Sequence, residues 1–353
     1  MRPAIGFAIV GTGMIAEVHA QAIQLCQDAR LIGVFSRNRE NCAAFAARWN
    51  TVPFESLETL IRHPDVQAVS VTTPSGAHAE TAIPALLAGK SVLCEKPVEI
   101  SLSAVDRMLQ AEKDGNGRLA GVFQMRLGTG ARLLRQAIEQ GRFGKLSFCS
   151  AHIKWWRDYS YYTSSPWKGT LHLDGGGALI NQGIHAVDLL QWLVGLPQEV
   201  AAFTATVAHS GIEAEDTVAA SLRFPNGALG VIEAATSTFP GTDLRIEIMG
   251  DNGSAILVND RITRWEFRTP LPGDDTVTAP PDGPSIAGGT GDAKKVSLDG
   301  HRLIVQDLAE AIRENRPAMT TGADARNAVA LVRAIYASAQ SGRRESVDRG
   351  PQR

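Results

Sequence analysis

The segment IGFAIVGTGMIAEVHA, residues 5–20, restricts the fold more than any other: a β-branched run, then Gly11-Thr12-Gly13-Met14-Ile15-Ala16, then a helix-patterned run. Gly11 suits a tight turn, Gly13 lets a phosphate approach the backbone, and small Ala16 lets the helix pack on the strand while its N-terminus faces an anion. Further strand candidates follow at LIGVFS (31–36), AVSVTT (68–73), SVLCE (91–95) and LAGVFQ (119–124). The stretches between them carry apolar residues three or four apart. This rhythm specifies an α/β Rossmann fold over residues 1–125, a doubly wound parallel sheet built to bind a dinucleotide.

Beyond Arg126 the texture changes. One amphipathic helix, ARLLRQAIEQGRFG, leads into longer alternating runs with turn signals at Pro225-Asn226-Gly227 and Asp251-Asn252-Gly253. Residues 126–353 therefore read as an α+β C-terminal domain with a large open, mostly antiparallel sheet. Residues 270–298, rich in Gly, Pro and Asp, read as a loop, two helical stretches follow, and RRESVDRGPQR reads as a strand end with a frayed tail. The apolar run at the N-terminus is too short for a signal peptide or a span, which predicts a cytoplasmic enzyme without a membrane partner. With 35 Lys and Arg against 37 Asp and Glu, the charge balance gives no reason to expect nucleic acid. Cys26, Cys42, Cys94 and Cys149 are widely spaced and form no zinc pattern, so no metal is expected.

Three strand ends of the first domain carry chemistry. Where an NAD site presents an acid to the ribose, this chain has Ser36-Arg37-Asn38-Arg39. Ser36 can donate a hydrogen bond and Arg37 can pair with a 2′-phosphate, which favours NADP(H) over NAD(H); the plainer alternative is that Arg37 stacks on adenine. Thr72-Thr73-Pro74 ends another strand and, with His78 at the start of the next helix, is expected to contact the cofactor, His78 as helix structure rather than as acid or base. Cys94-Glu95-Lys96-Pro97 ends a third, so Glu95 lies at the cofactor edge and Lys96 projects toward the crevice, with Pro97 stopping the ladder. Thr12, Met14 and Ile15 complete this set.

In the second domain, residues 174–188 read DGGGALINQGIHAVD. Asn181 and His185 are four apart and Asp188 three further, near one face of a helix opened by Gly175-Gly176-Gly177, whose glycines would let backbone approach a ligand. Lys96, Asn181 and His185 form the expected catalytic group, with Asp188 holding the imidazole and hydride transfer at a carbinol as the chemistry. A satisfied core histidine is the plain alternative. Upstream, Lys154-Trp155-Trp156-Arg157-Asp158-Tyr159-Ser160-Tyr161-Tyr162, followed by Trp167-Lys168-Gly169-Thr170, forms an aromatic and basic cluster in a chain only 6% aromatic. Rings suit the C–H faces of a sugar and cations suit an acid or phosphate, so Arg126, Lys154, Trp156, Arg157, Tyr162 and Trp167 join Lys96, Asn181 and His185 as substrate contacts. A subunit interface enriches the same residue types.

Taken together, G-x-G-x-x-A, T-x-P, E-K-P and G-G-x-L-x-x-x-G-x-H-x-x-D resemble the Gfo/Idh/MocA oxidoreductase family, over almost the whole chain. The resemblance implies a Rossmann domain followed by an open-faced sheet that packs subunits into homodimers or homotetramers, and NAD(P)-linked oxidation or reduction of sugars, inositols and related polyols. Lys96 matches the family lysine that bonds the reacting oxygen, and His185 the histidine of the acid/base pair. Many members carry Asp where this chain has Asn181, which cannot accept a proton, so the acid/base work falls on Lys96 and His185. The Asn-Gln-x-x-His wording is similar to the branch that includes UDP-N-acetylglucosaminuronate 3-dehydrogenases. Two other classes remain: a catalytically silent cofactor-bound sensor, and a lyase or hydrolase that uses tightly bound NAD in a redox cycle.

Overall fold

The computed structural model describes residues 3–279 and 297–350. The chain divides into two compact units, Met1–Gln124 with Leu298–Arg326, and Met125–Ser297 with Asn327–Arg353.

In the first unit the expected alternation becomes β1 (Ile5–Val10), β2 (Ala29–Phe35), β3 (Val52–Pro53), β4 (Ala68–Val71), β5 (Ser91–Cys94) and β6 (Leu119–Gly121), in the order β3-β2-β1-β4-β5-β6. Every pair is parallel. Helices α1 (Met14–Leu25), α2 (Arg39–Trp49), α3 (Leu57–Arg62), α4 (His78–Leu87) and α5 (Leu102–Gly115) connect the strands. β1, β4 and β5 are buried from end to end, which is why each reads as a continuous apolar run rather than an alternating one. The sequence reading missed β3, two residues ending in a proline, and α3, which a Ser56–Thr59 capping box starts. Strand order reverses between β1 and β4, so a crevice opens beyond their C-terminal ends.

The second unit holds α6 (Thr129–Glu139), α7 (Tyr159–Thr163), α8 (Ile184–Val194) and an eight-stranded sheet. Its strands are β7 (Leu146–Lys154), β8 (Glu199–Ala205), β9 (Thr217–Arg223), β10 (Leu229–Ala235), β11 (Arg245–Gly250), β12 (Gly253–Val258), β13 (Arg261–Phe267) and β14 (Glu345–Ser346), in the order β13-β12-β11-β7-β10-β9-β8-β14. β7 pairs with β10 in parallel and the other pairs are antiparallel. Burial alternates, as along β9, where Val218, Ala220 and Leu222 are buried and Ala219, Ser221 and Arg223 are exposed, so one face packs inward and the other is open.

Two helices close the chain, α9 (Leu298–Glu314) and α10 (Gly322–Ser341). α9 groups with the first unit, not with residues 126–353 as the single cut at 125 expected, because its buried stripe, including Ile304, Val305 and Leu308, packs on α1. Of the Gly- and Pro-rich stretch 270–298, residues 280–296 lie outside the described residues.

The helix expected over His185 is two structures in series: a π-helical segment, Ala178–Gly183, and then α8. α8 is fixed by charge as well as by its apolar face. Arg126 Nε donates to Asp188 Oδ2 at 2.8 Å and its Nη2 to Oδ1 at 2.5 Å, with both side chains 1% exposed. Such a bidentate pair is geometrically strict, and deleting one partner strands a charge in the core. Asp188→Ala should therefore lower the unfolding free energy by about 3–5 kcal/mol. The double replacement Arg126→Met/Asp188→Leu should recover most of that loss in urea titrations; equal denaturation midpoints for wild type and Asp188→Ala would show that the pair contributes nothing.

Candidate active site

In the first unit, Gly11 follows β1 with φ of 112°, and a Cβ there would lie 2.6 Å from Thr72 Oγ1 and 2.8 Å from Thr72 O. Glycine is required because β4 ends against this turn. A Cβ on Gly13 would meet nothing within 4 Å, so the space in front of the first turn of α1 is open, as an approaching phosphate needs. Met14 is exposed and Ile15 half-buried beside it. Thr12 Oγ1 lies 3.4 Å from Ser36 Oγ, which links the turn to the end of β2. Thr72 Oγ1 donates to Val10 O at 2.9 Å and ties the two central strands together. Arg37 is exposed and pairs with Glu80 at 2.9 Å.

Two residues expected at the cofactor do other work with their side chains. Buried His78 has Nε2 2.9 Å from Thr73 O and Nδ1 2.8 Å from Pro97 O, so both ring nitrogens join the loops after β4 and β5. Glu95 turns away from the strand end into the core. There its Oε1 is 2.9 Å from His19 Nε2 and 3.4 Å from His301 Nε2, while Oε2 accepts the Lys96 N–H at 3.0 Å. Burial by itself pushes the Glu95 carboxyl up, but the two imidazoles hold it well below the usual carboxylate range. Burial pushes the His19 ring below its ordinary value, and its Nδ1 lies 2.6 Å from Ser70 Oγ. No metal was expected, yet these three residues from α1, the end of β5 and α9 bring ligand-type atoms within 4.8 Å of one another. Lys96 itself is half-buried, directly after Glu95.

In the second unit, Asn181 is locked in orientation. Its Nδ2 donates to Asp174 Oδ1 at 2.6 Å, which leaves Oδ1 to accept from Gln182 Nε2 at 2.8 Å and from the Tyr161 hydroxyl at 3.3 Å. Gln182 Nε2 also donates to the Tyr161 oxygen at 2.9 Å, and Gln182 Oε1 accepts from Arg157 Nη2 at 2.9 Å. Lys168 Nζ lies 4.0 Å over the Tyr161 ring. His185 is half-buried in the first turn of α8. The π-helical turn before it breaks the four-residue register that the sequence reading assumed, and such turns recur at functional sites.

The aromatic and basic cluster is thus only partly brought to Asn181. Tyr161 reaches it and Tyr162 does not: neighbours on a helix point about 100° apart. Tyr162 is buried with its hydroxyl 2.7 Å from Thr236 Oγ1, and burial pushes that phenol up to about 12. Lys154 ends β7 on the open face of the sheet, bonded to Glu233 at 2.6 Å, opposite the face that holds Ile153. Trp156 packs edge-on against Phe239, and half-buried Trp167 supplies its carbonyl to Thr170. Arg157 is 4% exposed and braces Gln182, and Arg126 pairs with Asp188; these two guanidinium groups are built into the fold. Asp188, which was expected to hold His185, accepts both bonds of Arg126. The glycine run also differs from expectation. A Cβ on Gly177 would fall 1.8 Å from Glu215 O and one on Gly176 2.3 Å from the Tyr336 hydroxyl, so the close approach is to the chain's own residues.

Asp174, Gln182, His19 and His301 escaped the sequence reading, and Tyr161 stood in its aromatic cluster without being singled out as a contact. Gln182 stood inside the Asn-Gln-x-x-His run, but nothing local relates His19 to a residue 282 positions away.

Residues 5–122 match the model of an oxidoreductase family with an NAD-binding Rossmann fold, and residues 131–256 the GFO/IDH/MocA C-terminal domain. Among solved structures, the WlbA dehydrogenase of Bordetella pertussis, in complex with NADH and UDP-GlcNAcA, is 33% identical, covers 99% of each chain and superposes with a TM-score of 0.88. The myo-inositol 2-dehydrogenase of Thermotoga maritima is 29% identical over 72% of this chain and 75% of that protein. The 2,7-anhydro-N-acetylneuraminate hydratase of Mediterraneibacter gnavus is 28% identical over 71% and 66%. With both of its units matched, this chain belongs to the Gfo/Idh/MocA family of NAD-binding oxidoreductases.

Proposed function

We propose that this protein moves hydride between a nicotinamide and a ring hydroxyl or ketone of a sugar, sugar acid, nucleotide sugar or polyol. The observation that carries the reading is Lys96, half-buried and two residues past the end of β5, on the same edge of the sheet as Gly11, Gly13 and Thr72. The open space at Gly13 fits a pyrophosphate, and the nicotinamide supplies or accepts the hydride at C4. Lys96 donates a hydrogen bond to the reacting oxygen, which stabilises the negative charge that grows there as the C–H bond breaks. His185 takes the hydroxyl proton and the C–O bond becomes a carbonyl; in the reverse direction it returns the proton. Asn181 does not titrate, and with Asp174 fixing its amide it orients a substrate hydroxyl. The NADH and UDP-GlcNAcA in the B. pertussis relative, together with the inositol-acting relative, support a polyhydroxylated substrate.

In the finer reading, the first unit binds the dinucleotide and the second binds substrate and forms a homodimer or homotetramer through the open sheet face, where Phe148, Leu229 and Phe203 are exposed. Four free, buried cysteines agree with a reducing, cytoplasmic setting. NADP(H) is the preferred cofactor in this reading: β2 ends without a carboxylate, and the exposed Arg37–Glu80 pair is weak enough to yield to a 2′-phosphate. The hydratase relative supports a second reading, in which the same hydride step is one half of a redox cycle on tightly held NAD. No helix among the described residues is long and apolar enough to cross a membrane.

Lys96→Met and His185→Ala should each cut kcat by about 10²–10⁴-fold with cofactor affinity near wild type; wild-type turnover by Lys96→Met would sink the mechanism. Arg37→Ala should weaken NADP(H) by about 10–100-fold, the weight of a charge-assisted hydrogen bond, and NAD(H) much less. Equal losses in calorimetric titrations would mean that Arg37 only stacks, and tighter native binding of NAD(H) would overturn the NADP(H) reading. Purified protein that retains cofactor and turns over substrate with no net NADH would favour the redox cycle.

A further inference from the structure

We propose that Glu95 is a positioning residue for Lys96, and that His19 and His301 are the clamp that holds it; the proposal rests on Lys96 acting at the reacting oxygen. Glu95 is 6% exposed and has two distinct jobs, one per oxygen. Oε2 accepts the backbone N–H of Lys96 at 3.0 Å, which fixes the peptide from which the lysine side chain springs. Oε1 faces the core, 2.9 Å from His19 Nε2 and 3.4 Å from His301 Nε2, and the rings of these histidines meet edge to face with centroids 5.3 Å apart. Ser70 on β4, fully buried, continues the chain of bonds at His19 Nδ1, 2.6 Å away. A carboxylate that accepts from His19 fixes the tautomer, with Nε2–H toward Glu95 and Nδ1 accepting from the Ser70 hydroxyl.

Four elements, α1, β4, the end of β5 and α9, thus contribute polar side chains to one buried point. An apolar cluster of the same volume fills a core at no desolvation cost, and buried charge seldom adds stability over such packing. What the network supplies is geometry at one peptide, and that peptide is Lys96. The titratable groups facing Glu95 are His19 from α1 and His301 from α9; on its own segment Cys94 and Glu99 follow, and the Cys94 thiol is pushed well above its ordinary value by burial and by the two glutamates.

Glu95→Gln tests the role. His19 and the Lys96 N–H lie at different oxygens of the carboxylate, and an amide at this position keeps an acceptor oxygen at only one of the two places. kcat should fall about 10–100-fold, the scale for a reacting group displaced by about 1 Å, with substrate KM and cofactor Kd changed less than about twofold. The fall in kcat at unchanged KM and Kd is the readout that a purely structural role does not produce. If Glu95→Gln fails to fold, a second pair carries the test: His301→Leu should lose kcat in the same way, and His301→Gln, which keeps a donor, should recover most of the loss. Wild-type kcat in folded Glu95→Gln, alongside an inactive Lys96→Met, would overturn the positioning proposal alone. Full turnover by Lys96→Met removes the reading beneath it. Stoichiometric zinc in the purified wild-type protein, absent from Glu95→Gln, would overturn the clamp by making the cluster a metal site.

Discussion

Six parallel strands must all end on one edge of a sheet, and the first unit is organised by that requirement. Because strand order reverses between β1 and β4, their following loops diverge and leave a crevice, and the turn after β1 has to pass against the end of β4. The contact is so close that only hydrogen fits on the Gly11 α-carbon facing Thr72. The loop after β5 opens on the same edge, which is how a lysine far along the chain comes to share that edge with a glycine-rich turn. Nothing about Lys96 as a residue type selects it. Its register at the end of β5 does.

The second unit solves a different problem, how to bury an irregular backbone. The π-helical segment has no side-chain cap of its own, and Glu215 replaces it: its carboxylate accepts from Gly177 N and Leu179 N, each at 2.8 Å, and from the Tyr336 hydroxyl at 2.9 Å. Burial raises that carboxyl, and the bonds it accepts pull the other way. The glycines before it let the chain press onto Glu215 and Tyr336, and Asp174 finishes the job by orienting Asn181. A rigid backing of this kind holds the Asn181 amide in one orientation.

How much of this was legible in the sequence depended on whether the signal was local. β1, β4 and β5 declared themselves because strands buried on both sides carry unbroken apolar runs, and the second sheet because its strands alternate. α3 was missed because one and a half turns give too little periodicity to register. Asn181, His185 and Lys96 could be nominated from their motifs, but their neighbours could not. Tyr161 and Tyr162 are adjacent and chemically alike, and only the phase of a five-residue helix decides which one reaches Asn181. Arg126 and Arg157 looked like anion binders because a sequence shows charge and not burial. His19, Glu95 and His301 are joined only by the packing of α1 and α9 on the sheet, a relation that no spacing encodes.

The π-helical turn at 178–183 also bears on how this region can change over generations. A π turn is an α turn holding one surplus residue, so a single deletion there can return the backbone to ordinary helix without shifting the phase of Ile184–Val194, whose buried side chains are bound to the sheet and to Arg126. Residues upstream of the deletion would swing by about one helical step, roughly 100°. One codon gained or lost could thus re-aim the Asn181 amide while leaving the core of the unit intact, and related chains compared position by position across this stretch can match in sequence while presenting different side chains to the same space.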